Sequence, residues 1–151
     1  MTTLHNILAE HDKTQYATTA GTHTHQKLSK ITISPDFESG DLELINHIKQ
    51  TPELRRLFSP DTKTEVPIAG TINNRFISRR IDRLHIDTNT KTITILDYKT
   101  DINHEKFRTV YISQMQDYAN LLHAIYPDHK IDTYILWTHD FLLEKLNIKP
   151  L

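Results

Sequence analysis

The apolar residues of this chain change period along its length, and that change sets the fold class. Thr64–Ala69, Arg75–Ile86 and Lys91–Tyr98 alternate in polarity and are rich in β-branched and aromatic side chains, the pattern of strands. Asn73-Asn74 and the run Asp87–Thr90 supply turn chemistry between them, so an antiparallel meander is predicted. Phe107, Tyr111, Met115, Tyr118, Leu122 and Ile125 then recur at three- and four-residue steps, which predicts one long helix over 107–126, closed by Pro127. Ile131–Trp137 reads as a last apolar strand and Phe141–Ile148 as an edge piece. Upstream, residues 1–60 read as helical. The segments are Leu4–Lys13, Thr22–Ile33 with Leu28 and Ile31 three apart, Leu42–Gln50 behind an Asp41 N-cap, and a short helix opened by Thr51-Pro52-Glu53 with threonine as cap. Helices, three strands, helix, strand: the order predicts an α+β sandwich around a mixed sheet, as a single domain over 1–151.

Composition removes several chemistries. Without cysteine there is no disulfide, no thiolate nucleophile and no cysteine-ligated zinc or iron–sulfur cluster. Three glycines, Gly21, Gly40 and Gly70, cannot write a phosphate-binding P-loop or a dinucleotide fingerprint. Net charge is −1, so any contact with nucleic acid must come from a local basic patch. No apolar run approaches the ~20 residues of a membrane span, and the N-terminus lacks a signal-peptide apolar region. A cytoplasmic protein without a membrane partner is therefore expected.

The chemistry concentrates at Ile93–Thr100. On a strand, Ile93, Ile95, Asp97 and Lys99 share one face, so an apolar face ends in a carboxylate and an ammonium side by side. A surface salt bridge would look the same. A metal site would instead use Asp97 as a hard oxygen ligand and Lys99 to orient an attacking water. Asp82 sits in an apolar, strand-like stretch where a lone carboxylate is costly to bury. It either pairs with Arg80 or Arg83 or shares a divalent cation with Asp97. Parity places Arg75, Arg79 and Arg83 on one face and Arg80 with Asp82 on the other, as a phosphate-binding patch or a solvated strand edge. His23 and His25 form an H-x-H whose rings point about 200° apart on a helix, so His23 is expected to face solvent.

These segments together resemble a known family. Gly21-Thr22-His23-Thr24-His25, Glu65-Val66-Pro67, Ile81-Asp82-Arg83-Leu84, Asp97-Tyr98-Lys99-Thr100 and Gln114-Met115-Gln116-Asp117-Tyr118 resemble the RecB-type branch of the PD-(D/E)XK nucleases. Within that branch the likeness is closest to the C-terminal nuclease domain of AddA, a helicase–nuclease subunit of double-strand break repair. Ile135-Leu136-Trp137-Thr138 is similar to that domain's last core strand, so the resemblance runs from about 21 to 138. It implies a restriction-endonuclease-like core and a divalent-metal-dependent deoxyribonuclease, an exonuclease in double-strand break repair and recombination.

Residue by residue, the resemblance implies that His25, Asp82, Asp97 and the carbonyl of Tyr98 hold Mg²⁺ or Mn²⁺. Lys99 matches the catalytic lysine, Glu65 the acid of the first strand motif, and Gln114 and Tyr118 the Q-x-x-x-Y pair of the following helix. On a helix that pair lies on one face, although Tyr118 taken alone would be read as core. Arg79 and Arg83 are the expected nucleic-acid contacts, and Arg79 stands where the family commonly has glycine. The implied partners are DNA, as single strands or duplex ends, and a helicase or repair subunit. The rival reading is a nuclease remnant without turnover that binds nucleic acid or protein.

Overall fold

The computed structural model describes residues 19–151, and the predicted helix Leu4–Lys13 lies outside them. Helix α1 (Thr19–Ser29) leads into a small hairpin, β1 (Thr32–Ile33) and β2 (Glu38–Ser39). Helices α2 (Leu42–Lys49) and α3 (Pro52–Arg56) follow, then β3 (Lys63–Ile72), β4 (Arg75–Asp87) and β5 (Thr92–Lys99). Helix α4 (Arg108–Ile125) crosses to β6 (Lys130–Trp137), and β7 (Leu142–Leu146) closes the edge. The helix expected over Thr22–Ile33 thus begins at Thr19 and ends at Ser29, because Thr32–Ile33 pairs with Glu38–Ser39 instead of continuing it. Asp41 caps α2 as expected, its Oδ1 accepting from Leu44 N at 3.1 Å. Thr51 holds the cap position of α3 without a side-chain bond, so the start there rests on Pro52, whose fixed φ suits a first turn.

The strands form one mixed sheet in chain order, β3-β4-β5-β6-β7, antiparallel except for β5 and β6. A parallel neighbour requires a crossover connection, and α4 is that connection. The meander turns follow from their residues. Asn73 and Asn74 have φ of 51° and 63°, the paired left-handed conformations that a two-residue hairpin favours. Asp87 Oδ1 accepts from Asn89 N and Thr90 N at 2.9 and 3.2 Å, closing the next turn. Pro67, which cannot donate to a ladder, sits on edge strand β3.

The sheet is covered on both faces. Ile68, Ile77, Ile81, Ile93, Ile95 and Ile135 pack with Tyr111, Met115, Tyr118 and Leu122 of α4. On the other face Leu96, Tyr98 and Leu136 pack with Leu28, Ile45, Ile48, Leu54 and Phe58 of the α1–α3 layer. Each fully buried apolar side chain of this size contributes about 1.5–3 kcal/mol relative to exposure. β5 is buried from Ile93 to Lys99, which is why it reads as a nearly continuous apolar run. Helix α4 lies tight against the outer hairpin: a Cβ on Gly70 would come within 2.6 Å of Leu121 Cδ2.

The register contains a fork. β4 pairs with β5 only from Arg83↔Leu96 to Asp87↔Thr92. Beyond that point β4 continues with β3 to Ile72↔Arg75, while β5 continues with β6 to Lys99↔Trp137. The outer hairpin therefore leaves the sheet as a two-stranded arm and opens a cleft beside the end of β5. The pleat breaks at the same step. Ile81 packs in the α4 layer, yet Arg83, of the same parity, turns into the α1–α3 layer. Glu65, between the paired Thr64↔Arg83 and Val66↔Ile81, has φ of 52°, so β3 carries the matching irregularity.

Candidate active site

The cleft of the fork holds a cavity of about 430 Å³ lined by His25, Ser78, Arg79, Arg80, Asp82, Asp97, Tyr98, Lys99, Gln114 and Tyr118. Each element contributes by its own logic. Asp97 and Lys99 extend the face of Ile93 and Ile95 toward α4, as the alternation predicts. Asp82 lies at the last step of β4 before the arm diverges, so its carboxylate reaches the end of β5 and accepts from Tyr98 N at 2.8 Å. His25 comes from the opposite layer, with Nε2 3.2 Å from Tyr98 O and 3.8 Å from Asp82 Oδ2. His23, two residues earlier on α1, is exposed, as expected.

Lys99 is buried and tightly specified. Its Nζ is 2.8 Å from Asp97 Oδ2, donates to Gln114 Oε1 at 2.9 Å, and sits 4.2 Å from the centre of the Tyr111 ring. Gln114 Nε2 donates to Tyr118 Oη at 2.9 Å, and Tyr118 Oη donates to the Arg80 carbonyl at 3.2 Å. The run Lys99–Gln114–Tyr118–Arg80 thus ties β5, α4 and β4 across the open fork. Gln114 and Tyr118, one helical turn apart, act as a unit. Tyr118 also fills core space, so both readings of it hold.

The electrostatics of the two carboxylates are unbalanced. Burial first, and the neighbouring Asp97 carboxylate second, push Asp82 well above the usual carboxylate range. The bond from Tyr98 N and the charge of Lys99 offset only part of this. Asp97 Oδ2 is buried without a hydrogen-bond partner, since its approach to Lys99 Nζ is close but off hydrogen-bond geometry. Two buried carboxylates side by side, with one ammonium beside them, are the donor chemistry a hard divalent cation satisfies. Among the described residues, no group of three or more His, Asp or Glu side chains could hold a metal ion by itself. A cation here would need backbone oxygen as well, and the Tyr98 carbonyl lies 3.2 Å from His25 Nε2, while the N–H of the same residue meets Asp82. His25, Asp82, Asp97 and the Tyr98 carbonyl are the imidazole and oxygen donors that reach this one cavity.

The strain makes a stability prediction. Asp82 keeps its proton to higher pH in the folded chain than in the unfolded chain. This contribution is fully present below the ordinary value of 3.8 and is lost as pH rises through the folded value. Asp82→Asn keeps an acceptor for Tyr98 N and is neutral at every pH, so it avoids the cost of burying a carboxylate. In EDTA at neutral pH it is expected to be more stable than wild type by about 0.5–2 kcal/mol, a typical gain from relieving a functional site. The gap should close under acid. Urea melts at several pH values measure this, and a destabilised Asp82→Asn at neutral pH would show that the carboxylate is not strained.

Two expected site residues are corrected by the structure. Arg83 was expected on one face with Arg75 and Arg79, but it is 1% exposed on the opposite layer. Its guanidinium donates to the carbonyls of Leu57 (3.2 Å), Leu28 (2.8 Å) and Ile31 (2.8 Å) and to Tyr98 Oη (2.7 Å), so it cannot meet a phosphate. The physical reason is the broken pleat together with the helical layer that covers this face. Glu65 is exposed on β3 and does not line the cavity. Arg75 is engaged by Asp117 at 3.1 Å. Arg79 does line the cavity, with a buried Nε that has no hydrogen-bond partner. Sequence reasoning missed Tyr111 as a wall of the lysine site. Its spacing three residues before Gln114 was the available signal.

No family model matches the chain, and no curated protein matches it either. Among solved structures it is similar to the crystal structure of SSO0001, at 19% identity over 73% of this chain, with a TM-score of 0.42. The chain spans about half (51%) of the length of that structure. No helix among the described residues is long and apolar enough to cross a membrane.

Proposed function

We propose that this chain is a divalent-metal-dependent nuclease with a PD-(D/E)XK core of the RecB type, hydrolysing DNA phosphodiester bonds as an AddA-like exonuclease does in double-strand break repair. The observation that carries the reading is the buried carboxylate pair Asp82 and Asp97, placed with His25 and Lys99 around one cavity at the fork of the sheet. A compact set of carboxylates with one buried lysine suits hydrolysis of a charged ester better than it suits packing. His25, Asp82, Asp97 and the Tyr98 carbonyl would hold Mg²⁺ or Mn²⁺. When bound, the cation supplies Lewis-acid polarisation of a phosphoryl oxygen and a more acidic bound water.

The chain's own residues supply the rest. Lys99 Nζ, fixed by Gln114 and by the Tyr111 ring, presents a positive charge beside Asp97, where it can orient a water and balance charge building on phosphate. Gln114 and Tyr118 hold that ammonium in place through the Arg80 carbonyl. Arg79, with its unpartnered Nε, is suited to a substrate phosphate.

The test combines cleavage with metal-linked stability. The purified chain should degrade linear DNA in Mg²⁺ or Mn²⁺ and not in EDTA. Divalent cation should also raise the melting temperature, by about 2.7 kcal/mol of stabilisation at a hundredfold excess over Kd. Asp97→Ala should lose most of that shift. An identical shift in wild type and Asp97→Ala would sink the site. A full shift with no cleavage of single-stranded DNA, duplex DNA or RNA would select the non-cleaving binding module instead.

A further inference from the structure

At the far end of β6 from the cleft lies a second cavity, of about 410 Å³, that the proposed chemistry does not use. β6 starts at Lys130, on this cavity, and ends at Trp137, which pairs with Lys99. The two ends of that eight-residue strand lie about 23 Å apart, at about 3.3 Å per step. Three segments build the walls: the end of α4 with the loop after it, the start of β6, and the end of β7 with the chain that follows. That last segment has no regular structure, yet it is fixed. Gln116 Nε2 donates to the Lys149 carbonyl at 2.8 Å, Leu151 N donates to Asn120 Oδ1 at 3.0 Å, and Ile148 packs against the core beneath α4. The cavity is therefore preformed.

Its lining is basic and has unmet hydrogen-bonding capacity. Lys130, Lys145 and Lys149 stand there against one carboxylate, Asp132. The ammoniums of Lys130 and Lys145 both lie 3.6 Å from Asp132 Oδ1, beyond hydrogen-bond distance, so two cations crowd one anion. His123 and His129 complete the wall. Each carries a buried ring nitrogen without a hydrogen-bond partner among the described residues, Nδ1 in His123 and Nε2 in His129. The His129 side chain is 10% exposed, and its Nδ1 lies 2.8 Å from Asp128 Oδ1, which leaves Nε2 as the nitrogen for a ligand. Buried polar atoms are normally paired, so two such atoms on one cavity ask for a partner from outside the chain. Ile131 and Leu146, both buried, give the same cavity an apolar floor.

We infer that this cavity binds a small organic phosphate, a phosphomonoester whose dianion lies among the three lysines and two imidazoles while its organic body covers Ile131 and Leu146. An anion relieves the crowding of like charges. Three terminal phosphate oxygens can accept from five donors, where the two of a carboxylate are too few. The volume falls within the range of small-molecule sites, about 300–1,000 Å³, and exceeds what a bare ion needs. A divalent cation would meet three ammoniums, and among the described residues no group of three His, Asp or Glu side chains could hold it. None of these residues lines the cleft, so the inference stands apart from the nuclease reading.

The experiment follows the imidazole resonances of the full chain by NMR, in EDTA at low salt, as phenyl phosphate or inorganic phosphate is added. Phenyl phosphate should shift His123 and His129 saturably, with a Kd at least about fivefold below that of inorganic phosphate, because its ring covers the apolar floor. His129→Phe should weaken phenyl phosphate about tenfold, the loss of one hydrogen bond to a charged group. Lys145→Gln and Lys149→Gln, made together on exposed side chains, should weaken it about fivefold and leave the fold intact. Equal Kd for the two probes, or an unchanged Kd in the lysine pair, would overturn the site. So would Zn²⁺, added without EDTA, shifting both imidazoles when phenyl phosphate shifts neither, since the cavity would then take a cation. Neither cleavage nor Mn²⁺ binding enters these readouts, so this site and the nuclease reading fail separately.

Discussion

Arg83→Ala is expected to cost at least about 3 kcal/mol of stability, because it takes a charged donor from four buried acceptors, at about 1–3 kcal/mol for each one left unpaired; Leu28 O keeps a bond from Ile31 N at 3.2 Å. For a chain of this size such a loss lowers the melting temperature by roughly 10 °C. The guanidinium serves the carbonyls of Leu28 and Ile31 at the end of α1 and of Leu57 at the end of α3, together with Tyr98 Oη. Helix C-terminal carbonyls lack i+4 partners and carry partial negative charge, so a cation suits them. The guanidinium also lies 3.8 Å over the Phe58 ring, a contact worth about 2 kcal/mol when desolvated. Against these gains stands the cost of burying a charge, which keeps the expected loss nearer 3 than the sum of the parts. Arg83→Lys should recover little, since an ammonium cannot span acceptors that a planar fork reaches at once. Urea denaturation decides it. A change below about 1 kcal/mol in Arg83→Ala would mean that water replaces the guanidinium and the layer is not held this way.

Arg83 also marks where sequence reasoning ends. The alternation of β5 places Asp97 and Lys99 on the α4 face, and the i, i+4 spacing of Gln114 and Tyr118 brings them to that lysine, because both periods are properties of one unbroken element. The helix over 107–126 and the strand over 131–137 are legible for the same reason. Arg83 is not, because parity counted along β4 assumes a continuous pleat, and the pleat breaks where Glu65 turns left-handed and β5 begins to pair. Nor does alternation reveal that the weakly patterned N-terminal third supplies a second covering layer, which converts a basic strand residue into a buried anchor. The fork is equally silent in the sequence. It is a difference between two registers, and neither strand alone records where its neighbour leaves. His25 and Tyr98 could be assigned to the site only through the family resemblance, since nothing local connects residues so far apart.

The larger effect on activity is expected from Lys99→Met, which should lower cleavage by about 10²–10⁴-fold, the range for losing a positioned proton-transfer or charge-stabilising group. Methionine keeps most of the stem's volume, so the change removes the ammonium, which lies 4.2 Å from the centre of the Tyr111 ring, more than the volume. Lysine is no ligand, and Asp82, Asp97, His25 and the Tyr98 carbonyl remain, so the Mn²⁺-dependent melting shift should persist. Removing the ammonium leaves Asp97 beside Asp82 without its nearest cation, so the metal-free variant should be less stable than wild type. Saturating Mn²⁺ should restore more stability to Lys99→Met than to wild type, because the cation then relieves a larger repulsion. The two readouts separate what a purely structural lysine would join. If Lys99 merely neutralised the carboxylates, Mn²⁺ would rescue stability and cleavage together. If it acts on the reacting phosphate, Mn²⁺ rescues stability while cleavage stays low. Near wild-type cleavage by Lys99→Met in Mn²⁺ would therefore remove Lys99 from the chemistry and leave the pair of carboxylates to account for it.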